Sequence, residues 1–369
     1  LLEVQGLPAE AASIVGNVAF AEEGLMLEEL SAAVASAKLK AEGTLASGDA
    51  ASEIKVQATG DSLAELMASL PAVTFDASTT VILAGSKTTL KPLQTRFGNS
   101  DIAGWLELDT AEGTDLKARL ESKLIDAEEL SASSADDPAP SPSGAAEPGA
   151  AAAAAPPATE TTTAKSKYVF TEDPLPWEAL QNNNLDILWN IGTLKSTTAE
   201  LSKLVLQSTL QDGDLKAGLD FEALRGGGSS SRIQLSTAGE SAELKASVMA
   251  RDVRLNILGG DIPVDDMSQT SVTIELDSSG GSPRQLAASS NGSVLITQGP
   301  GKVDNALMGT VTTDVFAQLA SALNPFAKKD PFSIYECGII AIDIKDGVSE
   351  LDPIVLQQEK VMIVAAGQV

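Results

Sequence analysis

The stretch Asp212-Gly213-Asp214-Leu215-Lys216-Ala217-Gly218-Leu219-Asp220-Phe221-Glu222 decides the fold. Leu215, Ala217, Leu219 and Phe221 alternate with Lys216, Gly218, Asp220 and Glu222 behind an Asp-Gly turn, which is the pattern of a strand with one wet face. The same period of two returns outward from this point. Ile233 and Leu235 follow Gly226-Gly227-Gly228, and then come Leu244, Ala246 and Val248, a further strand at Val253, Leu255 and Ile257, then Val272, Ile274 and Leu276, and Val294 and Ile296. Residues before 130 alternate in the same way. The reading is a mainly β protein: a long, curled antiparallel sheet of about sixteen strands with an apolar groove and a few short amphipathic helices.

Two folded parts are expected, 1–130 and 168–369, separated by a disordered Pro/Ala/Ser-rich linker over 131–167. Between Ala132 and Thr163 lie six of the seventeen prolines and the run Ala150 to Ala155. Such a segment cannot bury enough apolar surface to offset its ordering entropy. A glycine recurs beside alanine in Ala41-Glu42-Gly43, Ala103-Gly104, Ala217-Gly218 and Ala366-Gly367, as expected for a sheet bent repeatedly in one sense. Helical spacing occurs at Ser62 to Leu70, stopped by Pro71, and along Leu307, Val311, Val315, Leu319 and Leu323, stopped by Pro325. The chain opens without an initiator Met and closes within a strand-like run, so it is read as a piece of a longer protein.

Composition narrows the chemistry. The 25 Lys and Arg stand against 51 Asp and Glu, for a formal charge of -26, and there is no histidine. A polyphosphate partner is repelled, which argues against nucleic acid. Imidazole-based catalysis and the commonest metal ligand are absent. The longest apolar runs, such as Val361 to Ala366, are far shorter than the roughly 20 residues that span a bilayer.

Candidate chemical groups read as structure. The pairs Asp212/Asp214, Asp265/Asp266 and Asp343/Asp346 sit in turns and lack a calcium-loop pattern. Gly226-Gly227-Gly228-Ser229 has no strand-to-helix context for a phosphate cradle and reads as a hairpin loop. The single cysteine, Cys337, reads as a small core residue among isoleucines. No catalytic residue, metal or cofactor is expected, and the protein is read as no enzyme.

From Pro174-Leu175-Pro176-Trp177-Glu178-Ala179-Leu180 onward, the order of motifs resembles the C-terminal module of the AsmA family of bacterial envelope proteins. The resemblance continues through Leu201 to Leu206, Asn291-Gly292-Ser293-Val294-Leu295-Ile296, the stretch Leu307 to Leu323, Tyr335-Glu336-Cys337, Ile339 to Ile344 and Asp346-Gly347-Val348. It implies a periplasmic protein held to the inner membrane by an anchor upstream of this chain. It further implies a repeating β-groove that carries phospholipid acyl chains between membranes, with links to outer-membrane assembly proteins and to regulation of protein targeting to the membrane. The insert before 168 would interrupt such a groove.

The expected groove lining is Leu204, Leu206, Leu215, Leu219, Phe221, Ile233, Leu235, Val253, Leu255, Ile257, Ile274 and Leu276. Aliphatic walls suit acyl chains, each shielded methylene contributing about 0.8 kcal/mol. The competing readings are a structural or adhesive β-sandwich or β-solenoid with a closed core, and a hydrolase with a hidden Ser, Lys and carboxylate cluster.

Overall fold

The computed structural model describes residues 13–22, 24–48, 50–65, 70–132, 170–196, 200–223, 226–254, 266–304, 332–358 and 361–368. Its first part holds β1 (Ser13–Ala21), β2 (Gly24–Val34), β3 (Ala37–Ala46), β4 (Ser52–Gly60), β5 (Phe75–Ala84), β6 (Lys87–Phe97), β7 (Ser100–Asp109), β8 (Thr114–Asp126) and α1 (Ala127–Ala132). Then come α2 (Glu178–Gln181), β9 (Asn183–Lys195), β10 (Glu200–Gln211), β11 (Asp214–Ala223), β12 (Gly228–Ala238), β13 (Ser241–Val253) and β14 (Thr270–Gly280). The remainder is α3 (Pro283–Ser289), β15 (Asn291–Gln298), β16 (Gly301–Asp304), β17 (Phe332–Lys345), β18 (Val348–Gln358) and β19 (Val361–Gln368).

All nineteen strands belong to one sheet. Each pairs with its neighbours in the chain, and β15 and β16 lie in tandem along β17, so the sheet is eighteen strands wide. Strands β1 and β19 each have a single partner among the described residues, which leaves the sheet open rather than closed into a barrel. Among the described residues no second sheet packs on it, so the described strands do not form a sandwich.

One pairing departs from the antiparallel expectation. Strands β8 and β9 run parallel, with Leu116 opposite Leu185, Ala118 opposite Ile187 and Leu120 opposite Trp189. Parallel neighbours need a long crossover, and the segment between α1 and α2 supplies the length. Apart from Ser131 and Ala132, which end α1, the expected linker lies outside the described residues. Across it the sheet is continuous. Arg119 of β8 binds Asp186 of β9 at 2.7 Å, and the Trp189 indole N–H donates to the Ser122 hydroxyl at 2.9 Å.

Because the strands run up and down in alternation on either side of the β8–β9 pair, the sheet has two rims. The first rim carries tight turns, including Asp212-Gly213 (φ 50° and 84°) and Asp346-Gly347 (φ 49° and 76°). Two successive positive φ values are what a two-residue type I′ hairpin requires. The second rim carries α1 and the connection from β4 to β5. In that connection the helix expected over Ser62 to Leu70 begins as a 3-10 turn, Leu63–Glu65, and residues 66–69 lie outside the described residues. The helix expected over Leu307 to Leu323 lies outside the described residues.

Bulges bend the strands. Register shifts fall at Leu27/Leu30, Leu90/Leu93, Ser202/Val205, Ala250/Val253 and Leu351/Ile354. Val253 therefore ends β13 beyond a bulge instead of opening a new strand. Of the recurring glycines, Gly43 and Gly104 have φ of +146° and +140°, and a Cβ on either would lie 2.1 Å or 2.0 Å from a carbonyl oxygen of the next strand. Gly292 repeats the geometry, whereas Gly218 and Gly367 have ordinary backbone and no such contact.

The tightest packing sits beside the parallel junction, where Ile125, Ile191 and Leu204 gather Phe97, Ile102, Trp189, Leu219 and Phe221. Leu204 is 3% exposed. Its replacement by alanine is expected to lower the unfolding free energy by about 2–4 kcal/mol in urea titrations.

Candidate functional site: one apolar face

Side chains alternate across a strand and residues in register share a face, so the pairing defines both faces without further assumption. One cross-strand row begins Val18–Leu27–Gly43–Ile54–Val81–Leu90–Leu106–Ala118–Ile187. It continues Ser208–Ala217–Ile233–Ala246–Leu276–Gly292–Ile344–Ser349. No charge interrupts it from β1 to β18. A parallel row runs Trp189–Leu206–Leu219–Ser231–Val248–Ile274–Val294–Ile342–Leu351. The buried apolar strand residues Ala41, Phe75, Ala118, Ile191, Leu204, Leu210 and Ala242 all point to this face.

The opposite face is polar over β7 to β14 and becomes mixed beyond, where Leu295, Ile339 and Val364 are exposed on it. Its rows include Glu107–Lys117–Asp186–Thr209–Lys216–Gln234–Lys245–Asp277. Neighbouring strands exchange ion pairs there, Lys87 with Glu107 at 3.0 Å and Arg232 with Asp220 at 2.8 Å. The hydrogen bond from Arg232 holds the Asp220 carboxyl below its usual range, and the bond to Glu107 raises Lys87. Such exposed pairs contribute little stability but keep the outer face solvated.

Ten of the twelve expected lining residues fall on the apolar face: Leu204, Leu206, Leu215, Leu219, Phe221, Ile233, Leu235, Val253, Ile274 and Leu276. Leu255 and Ile257 lie outside the described residues. Val253 and Leu204 are 1% and 3% exposed, whereas Ile233 is 40% exposed, so the first two belong to the packed floor and the third to open wall. The face also reaches beyond the expected set, across β1 to β9 and through Val294, Ile296, Ile340 and Ile342. Period-two alternation there carries the same signal as in β11.

The chemical candidates are accounted for locally. Asp212 and Asp214 flank a hairpin, Asp265 is outside the described residues, and Asp266 binds Lys302 at 2.8 Å. Gly226 and Gly227 form the turn between β11 and β12, with Gly228 beginning β12. Cys337 corrects the expectation of a core residue: it is half-buried opposite Gln357, whose side-chain oxygen lies 3.6 Å from its sulfur. Among the described residues no group of three or more Cys, Asp or Glu is placed to hold a metal ion, and no helix is long and apolar enough to cross a membrane.

Comparison with known proteins gives one family. The AsmA family model matches residues 12–353, taking in both halves of the sheet and not the second part alone. No curated protein and no solved structure matches. A model spanning so much of a chain whose strands form one uninterrupted sheet assigns the whole fold, and the chain belongs to the AsmA family.

Proposed function

We propose that this envelope protein is a non-enzymatic carrier whose apolar face holds phospholipid acyl chains while head groups stay in water. The observation that carries the reading is the charge-free row from Val18 to Ser349 on an open, single-layered sheet. An apolar surface of that extent in a soluble fold marks a place where something apolar sits. Its walls are aliphatic and aromatics are 4% of residues, which matches flexible chains better than flat ring systems. Each methylene moved from water onto such a wall contributes about 0.8 kcal/mol, and since a single chain binds only reversibly, retention through purification rests on the two chains of a phospholipid together.

In this reading the chain works in the periplasm between the inner and outer membranes. It contributes to outer-membrane assembly and, through membrane composition, to how proteins reach the membrane. Seventeen steps of about 4.8 Å make a ribbon about 80 Å wide, long enough for several lipids side by side.

The direct test is native mass spectrometry of the protein purified from a bacterial envelope, followed by lipid extraction. Phospholipid released at near one or more molecules per chain is expected; a lipid-free protein with its fold intact sinks the reading.

A further inference from the structure

Residues 170–182 form a strap that runs from α3 to the start of β9. At one end the Leu175 N–H donates to the Gly281 carbonyl at 2.9 Å, just beyond β14. The Arg284 N–H donates to the Thr171 carbonyl at 3.0 Å, and the Arg284 guanidinium binds Glu172. At the other end Asn183 begins β9, and α2 packs against β9, β10 and β11. On the way the strap crosses the first rim. A Cβ on Gly213 would lie 3.2 Å from Gln181, and one on Gly113 2.1 Å from the Asn182 carbonyl oxygen.

The Trp177 N–H donates to the Leu175 carbonyl at 2.8 Å, and Leu180 N–H to Trp177 carbonyl at 3.0 Å, so the strap is contracted rather than extended. Its side of the sheet follows from what is covered there. Leu210 of β10 and Ala242 of β13, apolar-face residues at the first rim, are 7% and 2% exposed although no second sheet packs on them among the described residues, and the strap with α2 and α3 is what packs at that rim, so the strap lies on the apolar side.

The strap's composition suits that place. Pro174-Leu175-Pro176-Trp177 is an uncharged run between Asp173 and Glu178. Its prolines have no N–H to leave unpaired, and the backbone N–H groups of Leu175 and Trp177 are both bonded within the protein, while the buried Trp177 indole N–H has no partner. Trp177 is 8% exposed.

We propose that this strap is an end wall of the acyl-chain site. It closes the first rim of the trough over β9 to β14, so that acyl tails run toward Leu175 and Trp177 and the glycerol ends lie toward the second rim. This inference rests on the carrier reading above and adds an orientation to it.

The test uses the full chain loaded with phosphatidylcholine carrying a photoreactive diazirine on one acyl chain, either at the methyl end or beside the glycerol, with adducts mapped by peptide mass spectrometry. The methyl-end probe is expected to label Pro174 to Gln181, and that labelling is expected to vanish with the glycerol-side probe, which marks strand residues nearer the second rim. Equal labelling of the strap by both probes, or strap labelling by the glycerol-side probe alone, overturns the inference and leaves the carrier reading standing. Absence of bound lipid and of adducts from either probe overturns both.

Discussion

Replacing Ile274 by lysine is expected to abolish lipid retention while leaving the protein folded. Ile274 stands in the middle of the apolar face, with Val248 and Val294 opposite it on the neighbouring strands, and it is only half-buried. In an open trough a lysine lays its stem along the wall and lifts its ammonium into water, so the cost to folding should be about 1 kcal/mol. An acyl chain pressed against that wall meets a charge it cannot solvate, and several methylenes at about 0.8 kcal/mol each lose their contact. Thr273→Lys, one residue away on the polar face, is the control and should retain lipid as the parent does. A closed core predicts the reverse pattern. There Ile274→Lys costs several kcal/mol because the ammonium is buried, and lipid is absent from parent and variant alike. Denaturant midpoints and native mass spectra on the three proteins separate the two.

The largest expected loss of stability comes from a single methyl group at Gly104. A Cβ there would lie 2.0 Å from the Arg119 carbonyl oxygen of β8, at a backbone φ of +140° that side chains rarely adopt. Neither the backbone nor the partner strand has room to yield without breaking the pairing of β7 with β8. Gly104→Ala is therefore expected to cost about 3 kcal/mol or more. Gly367→Ala, at a position with ordinary φ and nothing within 4 Å, should cost close to nothing. Urea titrations that show equal effects at the two sites would remove the role assigned to Gly104.

These two glycines show how far the sequence could be read. Both follow an alanine in an alternating strand, and nothing local tells them apart. The difference arises from how closely the next strand approaches, which is a property of the pairing. The faces, by contrast, were legible throughout, since parity alone places Leu215, Leu219, Phe221 and Ile233 together once the hairpins are known. Val253 reads from sequence as part of a separate strand because a bulge shifts parity without changing composition. The parallel joining of β8 to β9 was illegible for a related reason: strand direction after a long insert leaves no mark on the alternation itself. Isoleucine neighbours make Cys337 read as a core residue, yet alternation beside Gly338, which lies opposite Gln298 and Leu356, turns it the other way.

The parallel junction also gives the molecule a mechanical character. A pull that separates β1 from β19 acts on every strand pair in series, and the sheet yields at its weakest pair. Hydrogen bonds between parallel strands slant and hold slightly less per residue than antiparallel ones. The β8–β9 pair is the one parallel pair among the described strands, and it is there that Arg119 clasps Asp186 and Trp189 ties to Ser122. Those side-chain ties, with Ile125 and Ile191 packed beside them, act as stitches that offset the weaker slanted bonds and let a load pass from one meander to the other.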